Sequence, residues 1–412
     1  MIVTELVPEP QSVPMVDVLE RLRRPVDEAG GAFSDLRLAF SDDVSRAILR
    51  RPDVRAHPEL VALAFFLRRS AVTRLARDFA ELVGATQLRA PLGLAFHVPP
   101  TNVDTVFAYS LLLSLLVGNR NVVRLSPAAG PEARLLVEII GAVLRRPDYG
   151  ALLAETAIIS YGHEPEPTAA ASLVADVRVI WGGDDTVATI RSVPLQPGAR
   201  EVAFADRFSF AAVDAEAFER ASVHERRAAA RGLFNDTYPF DQRGCSSPRL
   251  AVFVGPPAAA RRAAEGLFTD LAAEVSRRGY RLDTGAVLAR ETFAYGALID
   301  RPVAELRRLG NELTVLRLTS LNGFDRTHPG AGLFFEAAVD DLGSLVEFVT
   351  GKDQTLSYFG FSAGELEGFA QALRSRGLDR IVPLGEALAF GRYWDGHDLL
   401  ADLTRVIALG GG

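Results

Sequence analysis

The sequence predicts an α/β protein built on a doubly wound, mostly parallel sheet. Short runs of apolar and β-branched residues recur between residues 94 and 181, and a segment with helical spacing separates each run from the next. Because short turns join these segments, the pattern is typical of a parallel sheet with helices on both faces. A similar alternation resumes after about residue 210, which predicts a second α/β unit.

The first unit begins with predicted helix and loop over residues 1–60, followed by one amphipathic helix over 60–83. Its strands are predicted at 94–98, 121–126, 156–161 and 177–181. Its helices are predicted at 102–117, 131–145, 167–173 and 184–193.

The second unit opens with two short β segments over 201–213 and a helix over 215–233. Its later strands are predicted at 250–254, 313–319 and 332–339, and its later helices at 258–278 and 340–349. The segment 399–408 is predicted to be a final helix or strand.

Composition excludes several classes of protein. The net charge is −7 with no basic tract, which argues against a nucleic-acid partner. The longest apolar run, 106–117, is shorter than the ~20 residues that a membrane span needs. Met1 to Pro14 lacks the features of a signal peptide, so we expect a cytoplasmic protein. One cysteine and six histidines without metal-ligand spacing predict neither a disulfide framework nor a metal site.

The single cysteine, Cys245, lies in a Gly-Cys-Ser-Ser-Pro turn just before a predicted strand. A turning backbone can direct successive N–H groups at one point, and a thiol beside such donors suits acyl transfer. Arg243, two residues earlier, could favour the thiolate. The alternative is a buried structural cysteine, because free cysteine packs as a small hydrophobic residue.

A second candidate site lies at the predicted carboxyl ends of the first strands, where parallel sheets bind ligands. Asn102, Arg124 and the Gly182-Gly183 turn occupy these positions. A glycine turn before a helix suits a phosphate, although the two carboxylates of Asp184 and Asp185 would repel one. Alternatively, Asp184 is a helix cap and Gly182 a tight turn. The GxGxxG fingerprint of dinucleotide-binding folds is absent.

Taken together, these segments resemble the aldehyde dehydrogenase superfamily, and within it the LuxC branch of acyl-CoA (fatty-acyl) reductases. The matching segments occur in family order. They are 65–68, 97–102, 118–126, 179–184, 238–248, 353–355, 379–388 and 394–396.

The resemblance implies a doubly wound cofactor domain (1–210), an α/β catalytic domain (211–380) and a short oligomerisation tail (381–412). It also implies NADPH-dependent reduction of an acyl thioester to an aldehyde through a Cys245 acyl-enzyme. Asn102 and the Cys245 backbone N–H would hold the oxyanion. Arg124, Ser126, Gly182, Gly183 and, by a looser match, Glu336 would bind the cofactor. NADPH is favoured because the fixed cation of Arg124 suits a 2′-phosphate, and NADH stays possible.

The resemblance further implies an acyl-CoA or acyl-carrier-protein substrate, an acyl-activating partner and a homo-oligomer. The chain departs from the aldehyde oxidisers of the superfamily, since Glu201 matches their general base only loosely, and a reductase needs no such base. Three rivals remain: a cysteine acyltransferase or thioesterase without hydride transfer, a non-catalytic scaffold subunit, and an NAD-dependent aldehyde oxidiser.

Other conspicuous side chains have simpler interpretations. His97, within an apolar run, is expected to be a packed histidine rather than a catalyst, and His328, in a turn, to be exposed. Trp394 is expected to anchor the tail. Tyr238 and Phe240 either line an acyl channel or pack in the core.

Overall fold

The computed structural model describes residues 1–24, 29–84, 86–100 and 103–410. The chain divides into two compact units. Unit 1 comprises Met1–Ala205 and Phe390–Gly412, and unit 2 comprises Asp206–Ala389. In the described part of the chain, no helix is both long enough and apolar enough to cross a membrane.

Unit 1 is built on a sheet whose central strands are parallel. Its strands are β1 (Ile2–Val7), β2 (Gln11–Pro14), β4 (Leu94–Val98), β5 (Arg120–Leu125), β6 (Thr156–Ser160), β7 (Val177–Trp181) and β8 (Arg200–Phe204), and a separate strand β3 (Gln87–Pro91) precedes β4. The order across the sheet is β2-β1-β6-β5-β4-β7-β8. The five strands from β6 to β8 are mutually parallel, as the alternating pattern predicted.

Helices connect the strands of unit 1. They are α1 (Met15–Arg23), α2 (Asp35–Arg50), α3 (Pro58–Leu67), α4 (Arg69–Glu81), α5 (Val106–Leu116), α6 (Pro131–Leu144), α7 (Gly150–Ala154), α8 (Pro165–Val174) and α9 (Asp184–Arg191), with 3₁₀ turns at Asp53–Ala56 and Pro147–Tyr149. Strand β4 and helix α5 are buried along their whole lengths. Such uniformly buried segments are typical of the centre of a sheet that is covered on both faces.

Unit 2 has a second, mostly parallel sheet. Its strands are β9 (Phe208–Asp214), β10 (Pro248–Val254), β11 (Val303–Arg308), β12 (Thr314–Leu318), β13 (Leu333–Val339), β14 (Asp353–Phe359) and β15 (Arg380–Pro383). Its order is β11-β12-β13-β10-β9-β14-β15, and β11 is antiparallel to its neighbour. The helices are α10 (Ala215–Arg220), α11 (Val223–Thr237), α12 (Pro257–Arg278), α13 (Thr284–Asp300) and α14 (Ala363–Leu373), with 3₁₀ turns at Pro239–Gln242 and Leu342–Leu345.

The chain ends by returning to unit 1. It forms β16 (Tyr393–Trp394), β17 (His397–Asp398), α15 (Leu399–Asp402) and β18 (Thr404–Ala408). The last strand pairs with β3 in an antiparallel ladder. Trp394 is buried against Tyr109, with ring centroids 5.5 Å apart, which confirms its predicted anchoring role. The segment 399–408 is therefore a helical turn followed by a strand.

Two predicted helices are in fact broken. The helix predicted over 60–83 is α3 and α4, because Arg68 is extended (φ −57°, ψ 147°) and Asp42 accepts the Arg69 N–H over 2.9 Å. The helix predicted over 215–233 is α10 and α11, because Ser222 forms a capping box with Glu225 at the start of α11. In both places a carboxylate or hydroxyl satisfies the free N–H groups of a new helix start.

Two further predictions were wrong in detail. The chain start was predicted to be helix and loop, but β1 and β2 form a hairpin in which Val3, Glu5 and Val7 are buried on one face. This two-residue period is the signal that the sequence interpretation missed. The helix predicted over 340–349 is only the 3₁₀ turn Leu342–Leu345, capped by Asp341.

Candidate active site

The lone cysteine lies on a tight turn at the amino end of β10. The Ser247 N–H donates to the Gly244 carbonyl over 3.1 Å, which closes the turn around Cys245. Cys245 is the single cysteine of the chain, so it forms no internal disulfide bond, and the residue is half-buried. It is thus less buried than the structural cysteine that the sequence left open as an alternative.

The backbone before the cysteine has an unusual conformation. Phe240, Asp241 and Gln242 have φ values of 62°, 51° and 63°, so three consecutive non-glycine residues are left-handed. Each such residue costs roughly 1–2 kcal/mol relative to right-handed backbone. The surroundings must therefore hold this segment in place, as is common near functional sites.

The contacts of the left-handed turn supply that support. Gln242 donates through Nε2 to the Pro248 carbonyl over 2.8 Å, which ties the turn to β10. The Ala331 N–H donates to the Asp241 carbonyl over 2.8 Å, and the Tyr280 hydroxyl donates to the Asp241 carboxylate. A Cβ atom on Gly330 would lie 2.7 Å from the Asp241 carbonyl oxygen, so only glycine fits there.

The carbonyl group of Cys245 is held by a neighbouring strand. Ser209, buried on β9, donates its hydroxyl to the Cys245 carbonyl over 2.7 Å. The same Ser209 oxygen accepts the Thr355 N–H of β14 over 3.2 Å. Ser209 thus links the nucleophile turn to two strands of the sheet. No role for Ser209 was predicted from the sequence.

Arg249, on β10, is a cation whose charge interacts with that of Cys245. Burial lowers the pKa of Arg249, while the nearby charges of Asp206 and Cys245 oppose that effect. Its Nη1 donates to the Arg207 carbonyl over 3.4 Å, and its Nε has no hydrogen-bond partner among the described residues. Arg243 is exposed, where solvent screens its charge. The sequence missed Arg249, although it lies four residues after the cysteine.

His328 is neutral and partly buried, not exposed as predicted. Its Nδ1 accepts the Gly330 N–H over 3.0 Å, so the ring proton lies on Nε2, which donates to the Leu333 carbonyl over 3.0 Å. Burial lowers the pKa of His328 well below its usual range, and the charge of Arg249 adds to this effect. His328 therefore stabilises the 328–333 loop and adds no positive charge to the cysteine turn.

Tyr238 packs in the core rather than in a channel. It is buried and stacks on Phe234, with ring centroids 4.9 Å apart, and its hydroxyl donates to the Glu312 carbonyl over 3.1 Å.

The predicted oxyanion residue, Asn102, lies outside the described residues. Nearby on β4, His97 is buried and bonded through both ring nitrogens, to Ser110 over 2.8 Å and to Asn121 over 2.9 Å. Asn121 donates its own amide N–H to Asn119, so its oxygen faces the ring and accepts the proton of His97 Nε2. Burial lowers the pKa of His97 to about 4. This confirms a packed, neutral histidine.

Four of the predicted cofactor residues line one cavity of unit 1, of about 530 Å³. They are Arg124, Ser126, Gly182 and Gly183. The cavity lies at the carboxyl ends of β4, β5 and β7 and at the start of α9, which begins at Asp184 with Gly183 as its cap residue. The carboxyl edge of a parallel sheet and a helix start are where nucleotide phosphates bind in such folds.

The polar groups of this cavity fit an anionic ligand at Arg124. Its Nη2 donates to the Gly162 carbonyl over 2.7 Å, and its Nε lacks a hydrogen-bond partner in the described structure. A hydrogen bond to a neutral backbone carbonyl does not neutralise the guanidinium charge. Asp185 also lines the cavity but is solvent-exposed, so its repulsion of a phosphate is screened. A Cβ on Gly183 would meet no described atom within 4 Å, which leaves room for a ligand.

The sequence model of the acyl-CoA reductase (LuxC) family matches residues 76–285, just over half of the chain. This range includes Cys245, Ser209 and Arg249 as well as all the described residues that line the cavity of unit 1. The chain belongs to the LuxC family of acyl-CoA reductases. It is accordingly an enzyme of the acyl-CoA reductase and aldehyde dehydrogenase type.

Solved structures confirm the aldehyde-dehydrogenase-like fold that the LuxC resemblance implied. Aldehyde dehydrogenase 21 of Physcomitrella patens, in complex with succinate, matches with a TM-score of 0.68 at 12% identity, over 97% of this chain and 91% of its own. A putative aldehyde dehydrogenase of Burkholderia cenocepacia matches with a TM-score of 0.66 at 15% identity, over 99% and 96%.

A mutant of aldehyde dehydrogenase C of Pseudomonas syringae, in complex with NAD⁺ and octanal, matches with a TM-score of 0.66 at 13% identity, over 99% of this chain and 93% of its own. At these identities the likeness shows the fold alone. No curated protein matches the sequence significantly.

Glu336 and Glu201, the two carboxylates that were compared with functional positions of the superfamily, both form ion pairs in this LuxC chain. Glu336, buried on β13, pairs with Arg307, and its pKa is raised by burial. Glu201 accepts from Arg178 Nε over 2.9 Å and from Arg191 Nε over 2.7 Å. Burial raises the pKa of Glu201, but these hydrogen bonds outweigh burial and leave the pKa lowered, which disfavours a general base. The ribose contact of Glu336 stays a prediction.

The fold also brings together three side chains of metal-ligand type that are distant in sequence. His57, Glu59 and Glu132 offer ligand atoms within 4.8 Å of one another. His57 Nδ1 lies 3.0 Å from a Glu132 oxygen, and both glutamates lie in the first turns of helices α3 and α6. Carboxylates at helix starts are stabilised by the helix dipole, which explains the cluster without an ion.

Proposed function

We propose that this LuxC enzyme reduces an acyl thioester to an aldehyde through an acyl-enzyme on Cys245. The observation that carries the proposal is the single, half-buried cysteine on a turn that hydrogen bonds hold in place, inside the matched family segment. Rigid support of the nucleophile favours catalysis because a small misplacement of reacting atoms slows a reaction strongly.

In the proposed reaction, the Cys245 sulfur attacks the thioester carbonyl carbon, and a tetrahedral oxyanion forms. The Cys245 N–H and the side chain of Asn102 are the proposed donors to this oxyanion. The bond to the carrier sulfur then breaks, and the carrier leaves as a thiol while the acyl group stays on Cys245. The cationic Arg249 favours the thiolate before attack and again after release.

A reduced nicotinamide cofactor supplies the hydride that converts the acyl carbon to the aldehyde level. Cys245 then releases the aldehyde as the carbon–sulfur bond breaks, and the thiolate is restored. One thioester, one hydride and one proton thus give one aldehyde and one carrier thiol. The carrier is proposed to be coenzyme A or an acyl-carrier protein.

We propose NADPH as the cofactor, bound in the cavity of unit 1 by Arg124, Ser126, Gly182 and Gly183. The support is the guanidinium of Arg124, whose hydrogen bonds to neutral backbone carbonyls leave its charge uncompensated by them. A 2′-phosphate would take up that charge. The Pseudomonas syringae relative was solved with NAD⁺, so NADH is the alternative that the experiment must test.

A homo-oligomer is proposed as well. The β3–β18 ladder presents apolar side chains to solvent, with Leu88 50% and Val406 48% exposed. A two-stranded ladder also has strand edges that can pair with a strand of another chain. We further propose a cytoplasmic location and an acyl-activating partner that supplies the thioester.

The test is a single-turnover assay with a panel of acyl thioesters and both cofactors, in which aldehyde is measured by mass spectrometry. We expect aldehyde with wild-type enzyme and NADPH, and none with Cys245→Ala. A reductase predicts one carrier thiol released per aldehyde. Release of thiol with no aldehyde under either cofactor would instead favour a thioesterase or acyltransferase.

A further inference from the structure

The segment that follows β15 forms a turn, Leu384–Leu388, whose backbone is held by a buried aspartate and a partly buried arginine. Asp236, fully buried on α11, accepts the Gly385 N–H over 2.7 Å and the Ala387 N–H over 2.8 Å, one with each carboxylate oxygen. Arg380 donates to the Ala387 carbonyl over 3.1 Å and to the Glu386 carbonyl over 3.2 Å. The carboxylate of Asp236 therefore accepts N–H groups of this turn, and the guanidinium of Arg380 donates to its carbonyl groups.

The turn also fits closely against α11. A Cβ atom on Gly232 would lie 2.6 Å from the Leu384 carbonyl oxygen, so glycine is required for this approach. Gly385 has a φ of 102°, a conformation that side chains rarely adopt. Burial raises the pKa of Asp236 to about 7, against the opposing effect of the two N–H donors. A buried carboxyl group is costly, so its placement here needs a reason beyond packing.

The far end of this turn reaches the nucleophile. A Cβ on Gly244, the residue before Cys245, would lie 3.3 Å from Cδ2 of Leu388 and 3.2 Å from the Ser247 hydroxyl. The side chain of Leu388 therefore packs against the start of the cysteine turn. Leu388 is the last residue of the segment 379–388, one of those that resemble the LuxC branch.

We propose that Asp236 is a positioning residue for Cys245: it fixes the Leu384–Leu388 turn and, through Leu388, the backbone of Gly244 and Cys245. This inference rests on the proposed role of Cys245 as nucleophile. Asp236 contacts no reacting atom in this account, and its effect is transmitted through the apolar contact of Leu388.

The chain offers a direct readout, because it contains a single cysteine. Alkylation by iodoacetamide, followed by intact-protein mass spectrometry, reports on Cys245 alone. We would compare the wild type with Asp236→Asn at pH 8, where the carboxyl group is ionised. Asp341→Asn is the matched control, since Asp341 also accepts a backbone N–H, from Ser344 over 2.8 Å, but is exposed.

We expect Asp236→Asn to change the alkylation rate constant and to lower kcat for thioester reduction, each by about tenfold or more, with the KM for NADPH within twofold. Asp341→Asn should match the wild type. Leu388→Ala tests the contact without touching Asp236 and should show the same kcat loss, whereas Leu388→Met should restore most of it. These second variants keep the test decisive if Asp236→Asn folds poorly.

The proposal would be overturned if Leu388→Ala, folded by circular dichroism, alkylates and turns over within twofold of the wild type. Failure of the proposed function would look different. In that case the wild type would form no aldehyde from any thioester, while the alkylation rates of the variants would still report whether Asp236 positions the thiol.

Discussion

Replacing Ser209 by alanine should destabilise the turn around Cys245 more than the loss of a single oxygen atom suggests. The change removes the 2.7 Å hydrogen bond to the Cys245 carbonyl and leaves the buried Thr355 N–H without its acceptor. An unsatisfied buried polar group costs about 1–3 kcal/mol, so we expect a comparable loss in the free energy of unfolding. Because the lost bond holds the nucleophile itself, kcat should fall by about 10- to 100-fold.

The assay combines urea unfolding with single-turnover acylation of Cys245 by an acyl-CoA in the absence of cofactor. Ser209→Thr is the matched control, because it keeps the hydroxyl and a β-branched side chain is well tolerated on a strand. We expect Ser209→Thr to retain most of the acylation rate. Acylation at the wild-type rate in Ser209→Ala would refute the idea that this hydrogen bond positions the cysteine.

Three further predictions follow from the other contacts. Arg249→Gln should slow alkylation of Cys245 at pH 7 by about tenfold, which corresponds to about 1.4 kcal/mol of lost charge stabilisation, while Arg243→Gln should leave the rate unchanged. Equal effects of the two substitutions would contradict the role of Arg249 in stabilising the thiolate. Arg124→Ala should raise the KM for NADPH by about tenfold or more and the KM for NADH by less than threefold, since charge-assisted hydrogen bonds contribute about 1.5–3 kcal/mol. An equal rise in KM for both cofactors would argue against a contact between Arg124 and the 2′-phosphate. The pKa of His97 is about 4 in the folded chain and near 6.5 in the unfolded chain, so the unfolded chain binds the proton first as the pH falls. Relative to His97→Gln, the wild type should therefore lose up to about 3 kcal/mol of unfolding free energy between pH 6.5 and pH 4. A difference in unfolding free energy that does not change with pH would show that His97 titrates normally.

Much of the architecture could be predicted because the strands carry strong local signals. Strands β4 and β7 are apolar runs bounded by turns, and the structure confirms both with the predicted ends. The break in the helix predicted over 60–83 could not be predicted from periodicity, since the residues on both sides of Arg68 keep helical spacing. The break depends on Asp42, a residue 27 positions earlier that accepts the Arg69 N–H.

The candidate site shows the same division between local and tertiary information. Cys245 was identifiable because it is unique and lies beside a turn, and Arg124 because it ends a strand. Ser209, Asp236 and Arg249 were not, since their roles arise from neighbouring strands and from the turn after β15. A serine on a strand or an aspartate on a helix carries no distinguishing local pattern.

The acyl-enzyme on Cys245 can be detected by the mass of the intact protein after mixing with an acyl-CoA in the absence of cofactor. We expect one acyl group per chain, located on Cys245, absent in Cys245→Ala, and lost with release of aldehyde when NADPH is added. A wild-type chain that stays unmodified, or an adduct that persists in Cys245→Ala, would contradict the proposed acyl-enzyme.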